Sequence, residues 1–165
     1  MSRLGIGGHQ KGGCGLSDDW LTPPEILKAL GEFDLDPCAS ENQPWSTARC
    51  ALTIKEDGLA SKWAGRVWLN PPYGRETWKW LARLAEHGNG IALTFARTET
   101  EMFHRLAWEM ANAMLFLEGR IRFLRPGGVR TAYTSGAPSV LIAYGNANVE
   151  SLERCGIKGF LVKLR

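Results

Sequence analysis

The chain has 165 residues, 44% of them hydrophobic, which is enough for one domain with a sizeable core. Its net charge of +3 is compatible with nucleic acid, although pure nucleic-acid-binding proteins are usually more basic. Its apolar runs are too short to span a membrane and no signal peptide is evident, so we expect a cytoplasmic protein. Four cysteines without a Cys-x-x-Cys pair and three scattered histidines argue against a zinc site.

The first segment, 1–17, is rich in glycine and is predicted to be a flexible arm, with a single domain over 18–165. After it, the run Thr-Pro-Pro-Glu at 22–25 predicts a helix start. Thr22 would be the N-cap, Pro23 would occupy the first helical position, and the glutamate would complete a capping box. This helix is expected to end near Gly31.

Apolar runs separated by turn-forming residues predict the remaining elements. Strands are expected over 33–36, 51–54, 66–69, 91–95, 113–117, 139–144 and 160–164, with 121–124 extending the fifth, and helices over 76–86 and 100–110; 125–137 is expected to be a loop. Alternating strands and helices imply an α/β fold with a mostly parallel sheet and helices on both faces. The last strands follow one another without a long helix, so we expect antiparallel additions at one edge.

The most informative motif is Asn70-Pro71-Pro72-Tyr73, which follows the apolar run 67–69. An apolar run that stops at a double proline predicts a buried strand ending at its carboxyl edge, where open α/β sheets bind ligands. An exocyclic amine of a nucleobase is a poor nucleophile because its lone pair is delocalised. Two acceptors, the Asn70 side-chain oxygen and the Pro71 carbonyl, would favour a pyramidal nitrogen, and Tyr73 would stack on the base. The alternative interpretation is a tight turn.

The ordered set of motifs resembles the phage-type, Dam-like family of DNA N6-adenine methyltransferases. The matching elements are Asp19-Trp20-Leu21-Thr22-Pro23-Pro24, Phe33-Asp34-Leu35-Asp36-Pro37-Cys38-Ala39, Asp57-Gly58-Leu59, Trp63, Asn70-Pro71-Pro72-Tyr73-Gly74, Gly119-Arg120-Ile121 and Pro138-Ser139-Val140-Leu141. The resemblance implies a single-domain, Rossmann-like methyltransferase fold, S-adenosylmethionine as cofactor and double-stranded DNA as substrate.

The resemblance also implies which residues bind the cofactor. They are Thr22, Pro23, Asp36, Pro37, Cys38, Ala39 and Asp57. The sequence departs from the wider fold at one point, because Ala39-Ser40 replaces the usual glycine-rich turn. Three other interpretations stay open: Thr22 only caps a helix, Asp36 is an ordinary strand-end carboxylate, and Asp57 forms a simple Asp-Gly turn. Glu41 and Glu56 are alternative ribose-binding carboxylates.

Residues toward the carboxyl end are candidates for contacts with the target base or DNA. They are Phe123, Arg97, Arg120, Arg122, Arg125 and Arg130. In related enzymes an aromatic residue from this region packs on the flipped base, whereas the alternative for Phe123 is a core position. The arginines are candidates for phosphate contacts, with solvated surface charge as the alternative.

The predicted function is therefore transfer of a methyl group from S-adenosylmethionine to the N6 amine of adenine in DNA, without a metal and without an obligate protein partner. Two rivals stay open at this point: methylation of cytosine N4 or another amine, and a non-catalytic nucleic-acid-binding module on the same fold. Sequence leaves open the recognition site, the oligomeric state and a role in restriction-modification or in regulation, in a bacterial or phage-infected cell.

Overall fold

The computed structural model describes residues 20–130 and 134–165, so the predicted arm over 1–17 lies outside the described residues. The strands in this part of the chain are β1 (Leu35–Asp36), β2 (Cys50–Ala51), β3 (Val67–Leu69), β4 (Gly90–Phe95), β5 (Ala113–Leu117), β6 (Leu124–Arg125), β7 (Val129–Arg130), β8 (Ser139–Tyr144) and β9 (Gly159–Lys163). Seven of them form one sheet in the order β2-β1-β3-β4-β8-β5-β9, and β6 pairs with β7.

One half of the sheet is parallel and the other half is antiparallel. The pairs β2–β1, β1–β3 and β3–β4 are parallel, as predicted. The expectation of antiparallel additions at one edge is wrong for β8, which lies between β4 and β5 and is antiparallel to both. All six residues of β8 are buried, which an interior strand requires. At the true edge, β9 has three exposed and two half-buried residues and pairs antiparallel with β5.

The helices begin with α1 (Pro24–Leu30), followed by α2 (Thr77–His87), α3 (Glu101–Phe103) and α4 (Asn146–Arg154). The predicted cap of α1 is wrong by one position: Pro23 is the N-cap and Pro24 the first helical residue, so the Thr22 hydroxyl caps nothing. Within 20–130 and 134–165, no helix has the length and hydropathy of a membrane span.

The predicted helix over 100–110 forms as α3 and a π-helical turn, His104–Trp108, with the Thr100 hydroxyl accepting a hydrogen bond from the Phe103 amide. Helix α4 contradicts the expectation that no long helix separates the last strands. Its sequence is mostly polar and it buries only three side chains, those of Asn148, Val149 and Leu152. A pattern so poor in apolar residues gives little helical signal.

Residues 121–130 also differ from the prediction. The segment does not extend β5: β6 and β7 form a separate hairpin whose turn is the 3-10 segment Pro126–Gly128. Within the predicted loop over 125–137, Gly127 and Gly128 both have positive φ, which glycine adopts without strain. The hairpin sits apart from the main sheet and reaches toward the carboxyl end of β1, through a bond from the Gly127 amide to the Asn42 carbonyl.

The core has two layers, one on each face of the sheet, as the alternation of strands and helices predicts. On one face, α1 and α4 pack on Trp68, Ile91 and Leu141. On the other, α2 and the α3 segment pack on Leu69 and Ile142. Successive strand residues thus point to opposite layers, and β3 is buried on both sides. This burial fixes the end of β3, from which Asn70 projects.

Candidate active site

A pocket of about 690 Å³ opens where β1 and β3 reach their carboxyl ends. It brings together most of the predicted catalytic and cofactor residues, although they come from four separate segments of the chain. The predicted residues that line it are Thr22, Asp36, Pro37, Cys38, Ala39, Asp57, Asn70, Pro71, Pro72 and Tyr73. Pro23 does not line it and serves instead as the N-cap of α1.

The side chain of Asn70 is held in one orientation. Its Nδ2 donates to the backbone carbonyl of Trp20 at 2.8 Å, and its Oδ1 accepts from the Tyr73 hydroxyl at 3.3 Å. A carbonyl oxygen only accepts, so the amide nitrogen must face Trp20 and the oxygen must face Tyr73. Oδ1 keeps a second lone pair for a donor that enters the pocket. The pocket wall thus presents the Asn70 amide oxygen as an acceptor.

Tyr73 is packed among aromatic rings. Its ring stacks on Phe95, with centroids 4.3 Å apart and an interplanar angle of 23°, and meets the edge of Phe123 at 6.1 Å. Burial raises the pKa of the Tyr73 hydroxyl, which therefore stays a neutral donor. Because Phe95 covers one face, a planar ligand can stack only on the other face of Tyr73 unless Phe95 moves.

The turn after β1 is linked to the catalytic motif. The Asp36 carboxylate accepts from the Cys38 amide at 3.0 Å, and the Cys38 thiol donates to the backbone carbonyl of Asn70 at 3.3 Å. Ala39 adds a backbone bond to Leu52, at the end of β2. These bonds fix the relative positions of the two strand ends. Burial, followed by the charge of Asp36, raises the pKa of the Cys38 thiol, which is therefore a neutral donor.

Gly58 packs closely against the turn that follows β1. A Cβ at Gly58 would lie 1.7 Å from the Pro37 carbonyl oxygen, so only glycine fits against the turn after β1. The Trp63 indole then donates to the Gly58 carbonyl at 2.8 Å. Sequence reasoning noted Asp57-Gly58 as a turn but missed this contact, because it joins residues that are distant in the chain.

The three carboxylates that are candidates for binding a ribose differ in their access to the pocket. Asp57 lines the pocket and is exposed, although its carboxylate also accepts from the Ala60 amide at 3.3 Å in a turn. Glu56 accepts from the amide and hydroxyl of Thr53, and Glu41 pairs with Lys55 at 2.8 Å. Neither glutamate lines this pocket. Asp57 is therefore the candidate with access to a ligand.

Three buried polar atoms on the pocket wall have no hydrogen-bond partner within the described ranges. They are the hydroxyl oxygen of Thr22, a residue only 1% exposed, the hydroxyl oxygen of Thr47 and the amide nitrogen of Gln43. Buried polar groups are normally paired, so all three are suited to a polar ligand in the pocket. Sequence reasoning named Thr22 but missed Gln43 and Thr47, which belong to no motif.

Comparison with known proteins bears on what this pocket serves. A sequence model of the DNA N-6-adenine-methyltransferase (Dam) family matches residues 14–151, most of the chain and all the predicted site residues. The chain belongs to the Dam family. The resemblance stated from the motifs is thus confirmed, and membership implies DNA adenine methyltransferase activity, of a kind that generally uses S-adenosylmethionine. Comparison with curated proteins gives no match, and neither does comparison with solved structures.

Phe123 is predicted from the family resemblance to pack on a flipped base. In the structure it is 3% exposed and is part of the core. It meets the rings of Trp20 and Tyr73 edge-on but does not line the pocket. The alternative interpretation, a core position, therefore describes this structure. A contact with a base would require Phe123 to leave its packing.

The five candidate arginines of this Dam-family chain are not equivalent. Arg120, Arg122 and Arg130 are exposed, and none of the three forms an ion pair among residues 20–130 and 134–165. Arg125 instead lies over the ring of Trp20, with its guanidinium carbon 4.0 Å from the centroid. Arg97 follows β4 and is partly exposed.

Asp36→Asn should stabilise this Dam-family protein at neutral pH. Burial raises the pKa of Asp36 from 3.8 to about 6, partly offset by the hydrogen bond from the Cys38 amide, so the folded state disfavours its charge. This penalty is absent below about pH 4, grows as pH rises, and is complete above about pH 6, where it reaches roughly 3 kcal/mol. Denaturant unfolding at pH 4 and pH 8 measures it. A variant equally stable relative to wild type at both pH values would contradict it.

Proposed function

We propose that the chain is a single-domain, Rossmann-like methyltransferase. It transfers the sulfonium methyl group of S-adenosylmethionine to N6 of adenine in double-stranded DNA. The observation that carries the proposal is the pocket in which the Asn70 amide, oriented with its oxygen outward, adjoins the turn after β1. Family membership supports the reaction class in general terms, and the pocket supports the assignment of residues.

The cofactor would lie along the wall formed by the turns after β1 and β2. Thr22 and Gln43 offer unpaired polar groups there, and the exposed carboxylate of Asp57 is suited to ribose hydroxyls. The turn Asp36-Pro37-Cys38-Ala39 would shape the floor of this wall. When bound, S-adenosylmethionine supplies an electrophilic methyl group, and every other requirement falls on residues of this chain.

At the target amine, the chain supplies two acceptors and no general base. The Asn70 Oδ1 would accept one N–H bond and the Pro71 carbonyl the other, which favours a pyramidal nitrogen whose lone pair faces the methyl group. The fixed φ of Pro71 and Pro72 holds this carbonyl in place. The amine becomes acidic only after it has gained the methyl group, so its proton can leave to solvent. Rate enhancement then comes from position and electrostatics.

The base would enter the pocket unstacked from the duplex and rest against Tyr73. Phe95 covers one face of that ring at 4.3 Å and fixes its tilt. The uncovered face is the platform, since the ring edge is occupied by Phe123. A base–aromatic stack of this kind contributes about 1–3 kcal/mol.

The direct test is incubation of the purified protein with S-adenosylmethionine and adenine-containing duplex DNA. Mass spectrometry of the digested DNA should detect N6-methyladenine, and calorimetry should detect cofactor binding. Detection of N4-methylcytosine instead would show that cytosine N4 is the amine that is methylated. DNA binding without cofactor binding would identify a non-catalytic module and overturn the proposal.

Tyr73→Phe should keep most of the activity, whereas Tyr73→Ala should weaken both DNA binding and turnover by about tenfold or more. The phenylalanine keeps the stacking surface and loses only a long, 3.3 Å bond to Asn70. Steady-state kinetics with a fixed duplex compares the two variants. Equal damage from both changes would assign the role to the hydroxyl instead of the ring.

Arg122→Ala, Arg125→Ala and Arg130→Ala should each weaken DNA binding at every sequence. Each should also lower the slope of log affinity against log salt by about one if the side chain contacts a phosphate. Fluorescence anisotropy across a salt series measures the slope. Arg154→Ala is a matched control, because Arg154 lies on α4 and pairs with Glu150. Slopes equal to wild type in all three variants would place the DNA elsewhere.

A further inference from the structure

The β6–β7 hairpin is attached to the segment that leads into α1. The amide of Leu21 donates to the Leu124 carbonyl at 2.9 Å, and the amide of Leu124 donates back at 3.0 Å. This pair is an isolated antiparallel bridge outside the main sheet. Two backbone hydrogen bonds therefore join the hairpin to the Trp20–Leu21 segment, although the two are about a hundred residues apart in the chain.

Trp20 is the point at which this piece meets the catalytic amide. Its carbonyl accepts the Asn70 Nδ2 at 2.8 Å. Its ring lies below the guanidinium of Arg125, at 4.0 Å, and meets the Phe123 ring at 6.4 Å. Arg125 and Phe123 thus hold the Trp20 ring, while the Trp20 carbonyl holds the Asn70 amide.

We propose that Arg125 is a positioning residue that acts through Trp20 to keep the Asn70 oxygen directed toward the target amine. The inference rests on the proposed function, in which Asn70 is the acceptor. It distinguishes Arg125, which stacks on Trp20, from the exposed Arg122 and Arg130.

The physical reason is the symmetry of the amide group. An asparagine side chain turned by 180° about its last bond exchanges oxygen and nitrogen at almost no steric cost. In the turned state Nδ2 would point two N–H donors at an amine that also donates, and the acceptor would be lost. The Trp20 carbonyl excludes that state only while it stays in place, and the Arg125–Trp20 stack holds the residue that carries it.

In the proposed function, the hairpin is also the element that binds DNA. A duplex docked on Arg122 and Arg130 would lie beside the segment that is hydrogen-bonded to Asn70 through Trp20. The variants must therefore separate an effect on turnover from an effect on DNA binding.

The experiment compares Arg125→Ala with Arg122→Ala and Arg130→Ala in steady-state kinetics. At saturating DNA and cofactor, Arg125→Ala should lower kcat by about three- to tenfold, whereas the other two should mainly raise KM for DNA. Arg125→Lys, which retains a cation over the Trp20 ring, should recover part of kcat. A change confined to KM in Arg125→Ala, like that of its neighbours, would overturn the proposal.

A spectroscopic measurement tests the same inference without reference to activity. The side-chain NH₂ signals of Asn70, assigned by their loss in Asn70→Ala, should shift and exchange faster with solvent in Arg125→Ala but not in Arg122→Ala. Unchanged signals in Arg125→Ala would overturn the positioning role even if wild-type methylation is observed. Absence of methylation with shifted signals would instead overturn the proposed function and leave the positioning intact.

Discussion

Replacing Asn70 with alanine should lower the rate of methyl transfer by about a hundredfold and leave cofactor affinity nearly unchanged. The substitution removes the oriented Oδ1 and with it one of the two acceptors for the target amine. Losing one preorganised polar contact in a closed site raises the barrier by about 3 kcal/mol. The Asn70 side chain bonds to the Trp20 carbonyl and the Tyr73 hydroxyl and not to the turn after β1. The cofactor wall should therefore persist in the variant.

The measurement is single-turnover methylation with saturating cofactor, together with calorimetric titration of S-adenosylmethionine. Thermal unfolding controls for the loss of the two side-chain hydrogen bonds. A folded Asn70→Ala protein that methylates at nearly the wild-type rate would contradict the assigned mechanism. A matched loss of cofactor affinity would mean that Asn70 belongs to the cofactor wall.

The candidate site was predictable because its main signals are local. A buried run followed by Asn-Pro-Pro-Tyr marks a strand end whatever surrounds it. The position of the turn after β1 was predictable for the same reason, since Asp36 ends one apolar run and Asn70 follows another. The parallel half of the sheet then brings the two ends together.

The features that sequence missed depend on contacts between distant segments. No local feature of the sequence indicates that β8 inserts between β4 and β5, because a buried apolar strand can pair with many neighbours. Helix α4 is mostly polar and is held by tertiary contacts, including a bond from the Arg66 guanidinium to Asn148 at 2.7 Å. The burial of Phe123 likewise follows from Trp20, which reaches it from the other end of the chain.

Gly58 shows how such a contact supports function, and Gly58→Ala should weaken cofactor affinity by at least about tenfold and lower the melting temperature. A Cβ would lie 1.7 Å from the carbonyl oxygen of Pro37 and 2.8 Å from its carbon. Both partners are backbone, so no side chain can rotate away and one of the two turns must shift. Forced overpacking of this kind costs about 1–3 kcal/mol, and both turns line the pocket.

Calorimetric titration of S-adenosylmethionine and thermal unfolding measure the two effects. Gly136→Ala is the control, because a Cβ there meets nothing within 4 Å and Gly136 is exposed. A tenfold loss of affinity corresponds to about 1.4 kcal/mol, which lies within the range of strain that such overpacking imposes. Since the strain acts on the turn that carries Asp36 and Cys38, part of it must appear as displaced cofactor contacts. Wild-type affinity and stability in Gly58→Ala would mean that this turn can retreat freely, and that the approach of Gly58 to Pro37 does not shape the cofactor wall.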